Sequence, residues 1–196
     1  MRTLLVSTTL LVVLLAVCGG QALAATTVTL FPVAAASIFT PKAAGGVEVV
    51  TSSLPVGYNT DNVLYRGLLR FDLSGIPAGA TITKAKLLVY HVGTDGVDLP
   101  VQVYRYTKAW DPATLTWAGN ASSFNSTVLA SAGGGASTGT WVNFSVLSLA
   151  KSWLVTPAKN FGLMLRGSSE GGDWSFHRYA TGGNQLRPRL QIEYTP

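Results

Sequence analysis

Apolar residues recur at every second position through much of the chain. Leu69, Phe71 and Leu73 alternate with Arg70 and Asp72, and Ala85, Leu87 and Val89 alternate with Lys84, Lys86 and Tyr90. Val101 and Val103 alternate with Gln102 and Tyr104; Val142, Phe144 and Val146, then Phe161, Leu163 and Leu165, then Leu190, Ile192 and Tyr194 repeat the pattern. A period of two puts one set of side chains on each face of a strand. Gly75, Pro77 and Gly79 interrupt the first two runs, and Ser131–Gly139, "SAGGGASTG", reads as a flexible loop. Short strands separated by turn chemistry predict an all-β fold, a jelly-roll β-sandwich of two antiparallel sheets. One segment departs from this. In "SVLSLAKSWL", Val146, Leu149, Ala150, Trp153 and Leu154 recur at helical spacing, with Ser145 or Ser148 as the cap and Pro157 as the stop. It predicts one short helix across the end of the sandwich.

Outside these runs, the first residues, "MRTLLVSTTLLVVLLAVCGGQALA", combine a positive Arg2, an apolar stretch from Leu4 to Val17 and the small-x-small site Ala22-Leu23-Ala24. They read as a secretory signal peptide over residues 1–24. The apolar stretch is too short for a membrane span. The expected mature chain, residues 25–196, is one β-sandwich domain in the secreted, extracellular or cell-surface space. Cys18, the chain's one cysteine, leaves with the signal, so the mature fold is held by its core without a disulfide. With Arg2 removed, 13 Lys and Arg stand against nine acids, a net charge of +4. The cations form no run, which argues against nucleic acid; a mildly basic surface fits acidic polysaccharide or an anionic envelope.

Chemistry is sparse. The two histidines, His91 and His177, have no Gly-x-Ser-x-Gly or HExxH around them, and no pair of carboxylates is marked out for glycoside hydrolysis. Glu170 and Asp173 read as solvated loop charges. No Cys/His cluster suggests zinc. Asp95 and Asp98 are oxygen donors a calcium ion can use, but the dipeptide Asp95-Gly96 favours a plain hairpin turn. No phosphate-cradling loop opens a helix. The expectation is a protein without catalysis or cofactor.

Sugar recognition uses aromatic faces and hydrogen-bonding or charged groups, and two candidates carry them. Trp174, His177 and Arg178 lie in the Gly-rich loop "EGGDWSFHRYATGG". Arg70, Lys84, Lys86, Tyr90 and Tyr104 point away from the apolar faces of their strands and form one basic, aromatic face if those strands are neighbours. Trp110, Trp117 and Trp153 read as core, and Trp141 opens a strand and faces either way. In "WDPATLTW", Asp111-Pro112 starts a turn, Thr114 and Thr116 alternate with Leu115 and Trp117 in a strand, and Trp117 is expected buried against Leu87 and Val89.

The segments "LLRFDLSGIPAGATITKAKLLVY", "WDPATLTW", "AKSWL", "NFGLMLRG" and "RPRLQIEY", in that order, resemble the DNRLRE domain family of secreted bacterial and archaeal proteins. The resemblance implies a jelly-roll sandwich. Part of the family is classed as carbohydrate-binding module family 96, which implies a polysaccharide partner of alginate-like acidic type; other members are surface or matrix proteins. The family's first-strand aspartate is replaced here by "AAASIFT", and its Trp-x-Glu by Trp110-Asp111-Pro112. Fold therefore transfers more firmly than ligand. An alternative from another class is a self-associating subunit of a matrix or filament, in which the apolar "ATTVTLFPVAAASIF" pairs with a neighbour's sheet edge. Against it, the same segment serves as the first strand of its own sandwich.

Overall fold

The structure, a computed structural model, describes residues 24–40, 53–133, 138–183 and 185–196. The expected signal segment, residues 1–24, lies outside them except for Ala24, as does part of the expected Gly-rich loop, residues 134–137. The strands are β1 (Thr26–Leu30), β2 (Pro32–Phe39), β3 (Ser53–Tyr58), β4 (Leu64–Phe71), β5 (Thr81–Gly96), β6 (Pro100–Arg105), β7 (Ala130–Gly133), β8 (Thr140–Ser145), β9 (Leu163–Gly167), β10 (Ser175–Ala180) and β11 (Arg189–Thr195). All pair antiparallel. They follow one curled path, β1-β11-β5-β10-β3-β4-β9-β6-β7, with β2 added to β4 and β8 added to β5. The chain is all-β, with two short α-helices, α1 (Trp117–Asn120) and α2 (Leu147–Val155).

Two limbs of this sheet bury one core between them. Leu69 and Phe71 of β4, Leu163 and Leu165 of β9 and Val101 and Val103 of β6 come from one limb. Leu87 and Val89 of β5, Leu190 and Ile192 of β11 and Val142 and Phe144 of β8 come from the other. The alternation in the sequence thus names the inward residues of both limbs. The Gly- and Pro-bearing turn after Phe71 does not join neighbours. β4 pairs with β2, β3 and β9, whereas β5 pairs with β8, β10 and β11, so the turn carries the chain between limbs. The apolar N-terminal segment pairs within its own fold, β1 on β11 and β2 on β4.

The limbs differ on their outer sides. Residues 106–124 lie over the β2–β4–β9–β6 limb and build a second core from Ala36, Ile38, Leu68, Tyr104, Tyr106, Trp110, Leu115 and Met164. Here "WDPATLTW" departs from the expected strand. Asp111 Oδ1 accepts from Ala113 N at 2.9 Å and opens a 3-10 turn, and Thr116 Oγ1 accepts from Gly119 N and opens α1. These local side chain–backbone bonds compete successfully with strand formation. Trp117 is consequently half-buried on the second core rather than packed on Leu87 and Val89.

α2 begins without a side-chain cap, so neither Ser145 nor Ser148 plays that part. Its Leu149, Ala150 and Trp153 are buried in the main core, and Thr156-Pro157 ends it. No helix among the described residues is long and apolar enough to cross a membrane.

Candidate functional site

The exposed limb is organised by β5. Ala85, Leu87 and Val89 enter the core, which leaves Lys84, Lys86, Leu88 and Tyr90 on the outer face. At Val92 the pairing with β10 slips: Tyr179 opposes His91, but Arg178 opposes Gly93. This bulge shifts the alternation by one. Beyond it Thr94 points inward, while Gly93 and Asp95 continue the outer face beside Arg178 and Phe176. From Lys84 to Asp95 the face runs roughly 35 Å at about 3.3 Å per residue.

Neighbouring strands complete it. Register places Trp141 beside Tyr90, Asn143 beside Leu88 and Ser145 beside Lys86 on β8, with Arg189 beside Leu88 and Gln191 beside Lys86 on β11. The Tyr90 and Trp141 rings meet edge-on with centroids 5.2 Å apart. The Arg189 guanidinium carbon sits 3.9 Å from the centre of the Trp141 ring, and its Nε has no hydrogen-bond partner. Lys84 Nζ reaches Glu193 at 3.0 Å, and this bond holds the Glu193 carboxyl below its ordinary range. Lys86 is exposed, with no ion pair among the described residues. The patch therefore holds three cations against one carboxylate, around an aromatic pair.

The other end of the face is built on glycine. Trp174, 42% exposed, lies over Gly96, whose φ is +86°. A Cβ there would stand 2.1 Å from the Trp174 carbonyl oxygen and 2.6 Å from its ring, so no other residue permits this placement. Arg178 donates to Asp95 at 2.6 Å and its guanidinium covers Phe176 at 5.4 Å. Asp95 is thus engaged, and Asp95-Gly96 is not the hairpin turn expected, because β5 and β6 belong to different limbs. No group of three or more His, Cys, Asp or Glu side chains is placed to hold a metal ion among the described residues.

Lys84, Lys86, Tyr90, Trp174 and Arg178 therefore share one face. Three other residues expected to contribute do not. Arg70 and Tyr104 are on the other limb: Arg70 covers Trp110 at 5.5 Å, and Tyr104 is 5% exposed beneath residues 106–124, its hydroxyl on Gln102. The middle of the expected Gly-rich loop is strand β10, paired with β3 and β5, and in it His177 points inward, 1% exposed, near Thr94 Oγ1, Ser175 Oγ and the Leu99 carbonyl. Burial pushes its pKa below the ordinary histidine value. Arg189 was not anticipated; its place in "RPRLQIEY" is an outward position, but only register brings it to Trp141.

Behind Trp174 the β9–β10 loop is tied down. Glu170, far from being a solvated charge, is enclosed. Its oxygens accept from Arg66 Nε at 2.8 Å and Nη2 at 2.6 Å, and Arg166 Nη2 lies 2.8 Å away. Arg66 is buried, with its guanidinium over Trp117 at 4.8 Å and Phe124 at 5.4 Å and an additional bond to the Ala121 carbonyl. One carboxylate thus links the base of the Trp174 loop to the roof of the opposite limb.

No curated protein matches this chain. A β scaffold displaying an aromatic pair among cations is in keeping with the family comparison. The model for carbohydrate-binding module family 96 matches residues 50–194, and the chain belongs to that family.

Proposed function

We propose that the protein is a secreted, non-catalytic module that binds acidic polysaccharide along the outer face of β5. The observation that carries this reading is the placement of Lys84, Lys86 and Arg189 around the Tyr90–Trp141 pair. The rings offer surface to the faces of pyranose rings, and the cations offer charge-assisted hydrogen bonds to uronate carboxylates. Trp174 and Arg178 extend the same face, so a chain several sugars long meets aromatic and cationic groups at both ends. Family membership supports carbohydrate as the ligand. The signal-like first 24 residues support export, and the shared core of the two limbs supports a jelly-roll sandwich as the form of the all-β domain. Assembly into a filament by donation of the N-terminal segment has less support, since that segment is paired within its own sheet.

Affinity electrophoresis in gels containing alginate, polygalacturonate or neutral β-glucan tests the proposal. Retardation is expected in the acidic gels, decreasing with added salt. It should weaken by about tenfold or more in Trp141→Ala and Arg189→Ala, in line with the loss of a desolvated cation–aromatic contact. Equal retardation in neutral and acidic gels, or none in either, would refute it.

A further inference from the structure

Phe31 and Arg187 stand at the β1 margin of the exposed limb, outside the arrangement around Tyr90. Leu30, the last residue of β1, opposes Leu190 and packs on the main core. Alternation turns the next residue, Phe31, to the outer side, level with Arg189. Its ring is 40% exposed, and the Arg187 guanidinium carbon sits 4.4 Å from the ring centre. Two arginines at the start of β11 are thus each laid on an aromatic ring: Arg189 on Trp141 of β8, and Arg187 on Phe31 beside β1.

Charge separates these two from the other cations of the face. Arg178 is neutralised by Asp95 at 2.6 Å, and Lys84 by Glu193 at 3.0 Å. Arg187 and Arg189 have no hydrogen bond or ion pair among the described residues. The Nε atom of each is buried and takes no part in binding, but both side chains are only partly buried and their terminal nitrogens meet solvent. Stacking occupies the flat side of a guanidinium and leaves its in-plane donors free. It also restricts the side chain beforehand, so less rotamer freedom is lost when a carboxylate binds.

The two side chains diverge. β11 and β8 flank β5 on opposite edges, since both pair with Lys86 and Leu88, and β1 lies beyond β11. Phe31 and Trp141 are therefore three strand steps apart, roughly 14 Å at about 4.8 Å per step. One carboxylate cannot reach both forks; two carboxylates on one ligand can.

We infer that Phe31 and Arg187 form a further uronate subsite, so that an acidic chain resting on Tyr90 and Trp141 continues across the strands, over β11, to the β1 margin. The inference rests on the reading of the β5 face as an acidic-glycan site. It adds to what family membership carries, because Phe31 lies outside the matched residues 50–194. The subsite makes the protein selective for chains with carboxylates on neighbouring sugars and too long for a single ring pair to hold.

Calorimetric titration of the mature chain, residues 25–196, with di- and tetragalacturonate tests this. The tetramer is expected to bind about tenfold or more tighter than the dimer, as for an added hydrogen bond to a charged group. That gain should vanish in Phe31→Ala and in Arg187→Ala. It should return only in part in Arg187→Lys, which keeps the charge but not the planar fork. Trp141→Ala should weaken both lengths. The methyl-esterified tetramer, which has the rings and hydroxyls without the charges, should show no gain over the dimer. Phe31→Ala, at an exposed ring, remains decisive if Arg187→Ala folds poorly. A length gain that persists in Phe31→Ala and Arg187→Ala, or that the ester shows equally, overturns this subsite and leaves the β5 reading standing. Absence of binding to either oligomer in the unaltered protein overturns both.

Discussion

Trp153 and Trp117 are both expected in the core from sequence, yet they contribute differently. Trp153 is 1% exposed and sits among Leu149, Ala150 and the inward strand residues. Trp117 is half-buried on a four-residue helix, with the Arg66 guanidinium against its ring. Removing a buried large aromatic costs about 3–5 kcal/mol, and Trp153→Ala belongs in that range. Trp117→Ala should cost less, because much of its surface already meets water. Thermal denaturation ranks the pair, and a larger loss of Tm for Trp117→Ala would contradict the packing. Side-chain type alone could not make this distinction; it depends on Asp111 and Thr116 bonding to nearby backbone amides and folding the segment into turns.

At the scale of the elements, the β9–β10 loop illustrates how one charge can tie two limbs together. Glu170 accepts a two-pronged bond from Arg66, whose side chain is only 10% exposed, as is that of Glu170. Breaking such a pair leaves an uncompensated buried cation, which typically costs about 3–5 kcal/mol, whereas replacing both partners by apolar groups is far milder. Glu170→Gln is expected to destabilise strongly and to loosen the Trp174 loop, and the double variant Arg66→Met with Glu170→Leu to recover much of the loss. Urea unfolding of the single and double variants measures this; additive losses would show that the two residues act independently. In the sequence Glu170 sits in "SSEGGD", where glycines and polar neighbours look solvent-exposed. Its partner is 104 positions away, and no local pattern reports a contact of that range.

For the whole molecule, acidity is the sensitive variable. His91 and His177 are both 1% exposed between the limbs, with ring centroids 5.7 Å apart and Thr94 Oγ1 near a nitrogen of each, at 2.7 Å and 3.0 Å. Burial lowers the pKa of His177 from 6.5; the carboxylate of Asp98, 3.9 Å away, and the Leu99 carbonyl oppose this, while His91 adds to it. A histidine with a depressed folded-state pKa binds its proton more readily when unfolded. Stability is therefore complete above about pH 6.5 and declines as pH falls below it, by up to about 1.4 kcal/mol per pH unit for one proton. Denaturant midpoints between pH 8 and 5 should fall on the acid side, and His177→Gln should flatten the curve. A midpoint independent of pH over that interval would exclude this account.

The sequence by itself determined the inward faces of β4, β5, β6, β8, β9 and β11, but it did not show β3, β7 or β10. Leu69, Phe71, Leu87, Val89, Val101, Val103, Leu163, Leu165, Leu190 and Ile192 all enter the core that their spacing indicated, because a period of two and the need to bury apolar surface are properties of each strand alone. It also determined the helix at Leu147–Val155 and the family. Tertiary structure decided which outward faces meet solvent. Tyr104 and Lys86 occupy equivalent outward positions in their own strands, but residues 106–124 roof one limb and leave the other bare. It decided as well that the bulge at Val92 turns Thr94 inward, opposite His177, and keeps Gly93 and Asp95 on the outer face beside Arg178 and Phe176. Pairing partners, bulges and roofing segments depend on contacts between residues distant along the chain, and those exist only once the sheet has curled.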